Sequence, residues 1–192
     1  MSQVRPKHTA PATDATQRLR KALAKRTKSE LLDALLEFAA ADRGILRRLD
    51  ARFELQASPD ELVTTIRQAI ADATSFDERD INRNFRYDHA AYHAVNRNLG
   101  RLIDLGHLRL AMDLSLELMK KGSYQVEMSD EGLMTDDIQE CLQVVVQALK
   151  NCDLPPADVV TWCDGMAKCD RMGFIGPREL GALRQQFDGS RP

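Results

Sequence analysis

The residues best suited to chemistry lie between Arg79 and Arg101, where arginine and histidine recur at helical spacing. Placed at about 100° per residue on one continuous helix, most of them fall within an arc of roughly 80°. Guanidinium groups bind phosphates and carboxylates through paired N–H donors. A binding surface, here called the Arg/His stripe, is therefore predicted from Arg83, Arg86, His89, His93, Arg97 and Arg101.

Two features of the sequence favour a plainer interpretation of the Arg/His stripe. Asp88 would fall on the apolar side of a continuous helix, but it suits the N-cap of a new one, in which case the stripe is divided. The segment 122–140 carries six acidic residues and no Lys or Arg, so it could pair with the stripe inside the chain. Charge runs are usually solvated helix faces, and that alternative is favoured over a working surface.

The spacing His89-x₃-His93 places two imidazoles on one helix face, where they could hold a metal ion. Two ligands do not complete a site, and no Glu lies between them in the metalloprotease pattern. No metal and no other cofactor is predicted, and a surface or capping role is expected for both histidines.

The cysteines give no metal-binding or redox pattern. Zinc ligands usually come as closer pairs than Cys163 and Cys169, and buried small apolar side chains are expected at Cys141 and Cys152. The chain contains no P-loop, no Gly-x-Gly-x-x-Gly, no Gly-x-Ser-x-Gly and no His-Glu-x-x-His. We therefore expect a protein that is not an enzyme.

The overall composition favours helices and an unevenly charged molecule. Of the 192 residues, 43% are hydrophobic but only 5% are aromatic. Residues 1–29 have a net charge of +7 and the remainder a net charge of −9. A basic arm can bind a polyanion or lie on its own acidic body. With no apolar run long enough for a membrane span and no apolar leader at residues 1–17, a cytoplasmic location is expected.

The elements that would carry these residues are helices. Capping boxes are expected to begin at Thr27, Ser58 and Ser75, and Gly106 is placed to end the helix that holds the stripe. A loop is expected at residues 122–134, and Thr135 is expected to cap the next helix. The predicted class is all-α, with eight or nine helices in stacked antiparallel hairpins. The expected organisation is a flexible basic arm at 1–13 and one helical domain at 14–192, with hairpins at about 28–53, 59–106, 107–151 and 155–187.

The stretch NLGRLIDLGHLRLAMDLSLELM resembles one tetratricopeptide repeat, with Gly106 at its turn and Ala111 where the two helices approach. The segments KRTKSELLDALLEFAAADRGILRRL and YDHAAYHAVNRNLGRLIDLGH are similar to an uncharacterised bacterial helical region that accompanies some SWIM-type zinc-finger proteins. The zinc-finger motif itself does not occur in this sequence. These resemblances imply a tetratricopeptide-like solenoid that binds another molecule.

The expected function is a non-enzymatic helical-repeat adaptor that binds a protein partner or its own copy. The alternative is a nucleic-acid-binding accessory subunit that uses the basic N-terminal arm and the Arg/His stripe. No membrane partner is expected.

Overall fold

The computed structural model describes residues 14–53 and 57–189. Within these ranges the chain forms ten α-helices and no β-strand, so the predicted all-α class is confirmed and the predicted number of helices was slightly low. The helices are α1 (Asp14–Leu23), α2 (Lys28–Ala41), α3 (Arg43–Phe53), α4 (Pro59–Ala73), α5 (Glu78–Asn84), α6 (His89–Asp104), α7 (Leu108–Glu127), α8 (Thr135–Leu149), α9 (Pro156–Cys169) and α10 (Pro177–Asp188). In these two ranges, no helix combines the length and the apolar character that crossing a bilayer requires.

Two helices begin at complete capping boxes, as the sequence predicted. The box expected at Ser75 was wrong, because Asp77 is the N-cap of α5 and accepts from the backbone N–H groups of Arg79 and Asp80. The hydroxyl oxygens of Thr27 and Ser58 accept from the backbone N–H of the residue three positions later, and the glutamate there accepts from the cap. Each box satisfies two backbone N–H groups that a helix start otherwise leaves without an acceptor. Helices α2 and α4 therefore begin with the same N-terminal capping motif.

The chain divides into two compact units, Met1–Glu54 and Leu55–Pro192. The single domain expected at 14–192 stays a prediction, and the arm expected at 1–13 lies outside the described residues. In the N-terminal unit, α2 packs against α3. Among the described side chains of α1, α2 and α3, only Ala39 is buried. The described part of this unit therefore has almost no apolar core of its own.

The C-terminal unit contains α4 to α10 around one continuous apolar core. Helix α6 packs against α4 and α8, α7 packs against α8 and α9, and α9 packs against α10. Fully buried Leu99, Leu118 and Ile138 come from three different helices of this core. The unit is a helical bundle, and its central helix α6 carries most of the Arg/His stripe.

Helix α7 corrects the loop that was expected at 122–134. The helix continues to Glu127, and Gly122 is buried within it. A Cβ atom at Gly122 would lie 2.7 Å from the Cδ1 atom of Ile138 on α8. The glycine is there because α7 and α8 approach closely, and the sequence alone suggested a helix end. Helix α8 begins at Thr135, but its N-cap is Met134 rather than Thr135.

Buried polar side chains in the C-terminal unit are paired within the core. The hydroxyl of Tyr92 donates to Gln125 Oε1 at 2.5 Å, and Gln125 Nε2 donates to the carbonyl of Ala73 at 3.1 Å. The indole Nε1 of Trp162 donates to the carbonyl of Met112 at 3.0 Å. These bonds connect α4, α6, α7 and α9 and help to fix a single arrangement of the bundle.

Candidate functional site

The six residues of the Arg/His stripe lie in two helices and the connection between them. Arg83 is in α5, Arg86 is in the connection, and the other four are in α6. The first four residues of the stripe are exposed, whereas Arg97 and Arg101 are only partly exposed. Arg101 Nη1 donates to Oδ1 of the buried Asn98 at 3.2 Å. The two arginines on α6 therefore lie partly within the fold.

An interruption of the helix between α5 and α6 divides the Arg/His stripe into two parts. Phe85 ends α5 in the left-handed region with a φ of 53°, and Asp88 caps α6 by accepting from the backbone N–H of Ala91 at 2.9 Å. The structure therefore agrees with the alternative in which Asp88 is the N-cap of a new helix. The Arg/His stripe does not lie along one continuous helix.

The structure brings four polar side chains together where α6 and α8 begin. His89 Nδ1 lies 2.7 Å from Asp137 Oδ1, and His89 Nε2 lies 2.8 Å from His93 Nε2. The hydroxyl of Tyr87 donates to Asp137 Oδ2 at 2.6 Å. We call Tyr87, His89, His93 and Asp137 the His/Asp cluster.

Local sequence and helix packing each contribute to the His/Asp cluster. His89 and His93 are four residues apart in α6, so their side chains lie on one face, with ring centroids 4.2 Å apart. Asp137 is in the first turn of α8, where its negative charge suits the positive end of the helix. The packing of α6 against α8 then brings the carboxylate to the histidines.

Burial and neighbouring groups shape the hydrogen bonding of the cluster. Asp137 is only 6% exposed, and an ionised carboxylate at that depth needs hydrogen bonds or a cation. Burial, and then the hydrogen bond and charge of Asp137, raise the pKa of the Tyr87 hydroxyl, so that it remains a donor. When His89 Nδ1–H donates to Asp137, the neutral His89 ring accepts at Nε2 from His93 Nε2–H. The cluster is thus a hydrogen-bonded chain from Asp137 to the surface.

The sequence identified two members of this cluster and missed the other two. The motif His89-x₃-His93 was visible, but Asp137 entered only as one of the six acidic residues of the segment 122–140. Tyr87 and Asp137 are 50 positions apart, so no local pattern relates them. The acidic segment 122–140 does supply a partner for the Arg/His stripe within the chain. This partner is Asp137, and the residue that it contacts is His89 rather than an arginine.

A second surface of interest is apolar and lies in the N-terminal unit. Eight large apolar side chains of α1, α2 and α3 are exposed among the described residues. Leu32, Leu35 and Leu36 have the i, i+3, i+4 spacing of one helix face, and Leu36 is 65% exposed. We call this set the apolar face; it consists of Leu19, Leu23, Leu32, Leu35, Leu36, Phe38, Leu46 and Phe53.

The cysteines are thiols within or beside the core of the C-terminal unit. Cys141 and Cys163 are buried, and Cys152 and Cys169 are partly buried. Burial, reinforced by nearby carboxylates, raises the pKa of Cys141 to about 12 and the pKa of Cys163 to about 11. These two thiols stay protonated near neutral pH and are poor nucleophiles and poor metal ligands.

Comparison with protein-family models, with characterised proteins and with solved structures finds no match to this chain. The functional argument therefore rests on the His/Asp cluster and the apolar face.

Proposed function

We propose that this protein is a non-enzymatic helical adaptor that self-associates through the apolar face of its N-terminal unit. The observation that supports the proposal is the exposure of eight large apolar side chains on three consecutive helices. Large apolar side chains exposed in this number within one small unit favour a protein-binding surface.

The size of the N-terminal unit favours a partner. The unit comprises Met1–Glu54, and no cysteine occurs before Cys141, so no disulfide can stabilise it. The fraction of surface that a chain can bury falls with its size, so a unit this small gains much from contact with another chain. Burial of the apolar face against another surface would supply the missing core.

The charges of α2 and α3 favour a second copy of this chain as that partner. Helix α2 has three acidic residues and one Lys, whereas α3 has four Arg and one Asp. In a two-fold symmetric dimer the same patch meets itself, so α2 of one copy can lie against α3 of the other. The acidic helix then faces the basic helix twice, and apolar contact is combined with charge complementarity.

Self-association is tested by measuring the mass of the untagged full chain in solution as its concentration is raised from the low micromolar range. We expect a concentration-dependent dimer that Leu36→Glu abolishes, because the substitution places a charge within the apolar face. The matched control is Leu105→Glu, since Leu105 is 53% exposed on the C-terminal unit. Circular dichroism on each variant would establish that the helices remain folded.

Two results would overturn the self-association proposal. One is a monomer at every concentration. The other is a dimer that Leu36→Glu leaves intact or that Leu105→Glu disrupts equally. If the wild type is monomeric and the Leu36→Glu variant aggregates less than it does, packing of the apolar face within its own chain is the next hypothesis.

Nucleic-acid binding is a second candidate function, supported by the charge of the N-terminal unit. Residues 14–53 contain ten Lys or Arg and six Asp or Glu, a net charge of +4. The C-terminal unit separately exposes Arg79, Arg83 and Arg86. Anisotropy of labelled DNA and RNA at two salt concentrations tests this function. Binding that falls steeply with salt would support it, and its loss in Arg83→Glu/Arg86→Glu would assign the contact to the exposed arginines of the C-terminal unit.

A further inference from the structure

Three potential metal ligands from two helices converge in the His/Asp cluster. One ligand atom from each of His89, His93 and Asp137 can be chosen so that all three lie within 4.8 Å of one another. His89 already contacts both of the other residues, Asp137 through Nδ1 at 2.7 Å and His93 through Nε2 at 2.8 Å. This is the one group of three or more such residues found within 14–53 and 57–189.

The chemistry of these donors selects the class of metal. Two imidazole nitrogens and one carboxylate oxygen suit Zn²⁺ and neighbouring first-row divalent ions, whereas Ca²⁺ and Mg²⁺ prefer ligand sets made of oxygen alone. A set of three protein ligands leaves at least one coordination position for water or for a group from a partner molecule.

The distances in the cluster are close to those that a metal needs. Ligand atoms at about 2.1 Å from a tetrahedral zinc ion lie roughly 3.4 Å apart. The two Nε2 atoms, now 2.8 Å apart, must therefore separate by roughly 0.6 Å. Asp137 contacts the other ring nitrogen of His89, so the widest pair, within 4.8 Å, must approach by up to about 1.4 Å as the His89 ring rotates. His93 is exposed and the His89 side chain is 57% exposed, so both rings can rotate without disturbing the core.

The Asp137 carboxylate is the least mobile of the three potential ligands, because it is buried and hydrogen-bonded. The Asp137 side chain is 7% exposed, and the Tyr87 hydroxyl holds its Oδ2 atom at 2.6 Å, which directs Oδ1 towards His89. A hydrogen bond of this kind to a metal-binding carboxylate orients the ligand before the metal arrives. A cation would also compensate a carboxylate that is largely withdrawn from water.

We propose that His89, His93 and Asp137 bind a divalent transition-metal ion of the zinc class, with Tyr87 as a positioning residue for Asp137. The metal connects the first turn of α6 to the first turn of α8. This proposal does not depend on self-association, because the ligands lie in the C-terminal unit.

Titration of the untagged full chain with Zn²⁺ by calorimetry, and with Co²⁺ by visible absorption, tests the metal site. We expect one ion per chain and a Co²⁺ spectrum without thiolate charge-transfer bands, since burial keeps the Cys141 and Cys163 thiols protonated. His93→Gln and Asp137→Asn should abolish the spectrum. Tyr87→Phe should weaken binding by about 10- to 100-fold, as the loss of a group that orients a ligand usually does.

His107→Gln is the matched control, because His107 is partly exposed at the start of α7 and makes no side-chain hydrogen bond as its cap. Zinc binding should be unchanged in this variant. Binding that survives in His93→Gln, or that falls equally in His107→Gln, would overturn the proposal, as would the absence of any binding by a wild-type protein with normal circular dichroism.

Discussion

The two units of this chain use the same local signals and reach different outcomes. Thr27 with Glu30 and Ser58 with Glu61 form equivalent capping boxes, and each precedes a helix with regularly spaced apolar residues. In α4 these residues enter a core, whereas in α2 only Ala39 is buried. A strong helix signal therefore determines where a helix begins, and it does not determine what its apolar face will contact.

The largest expected difference between the units concerns leucine truncation. Leu99→Ala removes a fully buried side chain from the core and should lower the free energy of unfolding by about 2–5 kcal/mol. Leu36→Ala truncates a side chain that is 65% exposed and should change it by less than about 0.5 kcal/mol. Urea denaturation followed by circular dichroism, at protein concentrations below any dimerisation, measures both. Equal losses of unfolding free energy in Leu99→Ala and Leu36→Ala would contradict the proposed difference between the two units.

Buried polar pairing should matter next. Tyr92→Phe leaves Gln125 Oε1 without the Tyr92 hydroxyl as donor at a site that is fully buried. The expected loss is about 1–3 kcal/mol, the usual cost of an unsatisfied buried polar atom. Thermal unfolding measures it, and Tyr124→Phe is the control because Tyr124 is 45% exposed. An unchanged stability of Tyr92→Phe would mean that the core rearranges to give Gln125 another hydrogen-bond partner.

The capping boxes permit a smaller but more symmetrical comparison. Ser58→Ala should lower the stability of the C-terminal unit by about 1 kcal/mol, because α4 contributes to its core. Thr27→Ala removes the same bonds from α2 and should reduce helix content at 222 nm while leaving the main unfolding transition in place. If Thr27→Ala shifts that transition as much as Ser58→Ala does, the two units unfold together.

The smallest expected effect is the pH dependence of these boxes. Hydrogen bonds from the backbone and then the hydroxyl of Ser58 lower the pKa of Glu61 below its ordinary value of 4.5. Since the folded pKa is the lower one, the contribution of Glu61 is present above pH 4.5 and is lost as the pH falls through the folded pKa. Urea midpoints of the wild type and Glu61→Gln should therefore converge on acidification. A constant difference across this range would contradict the assignment.

Much of the fold could be predicted because its signals are local. The capping boxes and the terminating Gly106, whose φ is +83°, were visible in the sequence. The loop expected at 122–134 begins only after Glu127. Its start was wrong because Gly122 serves a contact with Ile138, and a contact between helices has no local signature. Asp137 was missed as a member of the His/Asp cluster for the same reason, since only the packing of α6 against α8 brings it to His89.

The position of Trp162 has a practical consequence for all of these measurements. It is the only tryptophan in the chain, and it is buried in the C-terminal unit, where its indole is hydrogen-bonded to α7. Its fluorescence emission should shift to longer wavelength only when the C-terminal unit opens and water reaches the ring. Amide circular dichroism reports the helices of both units. The difference between the two optical signals therefore isolates the behaviour of the N-terminal unit without any label.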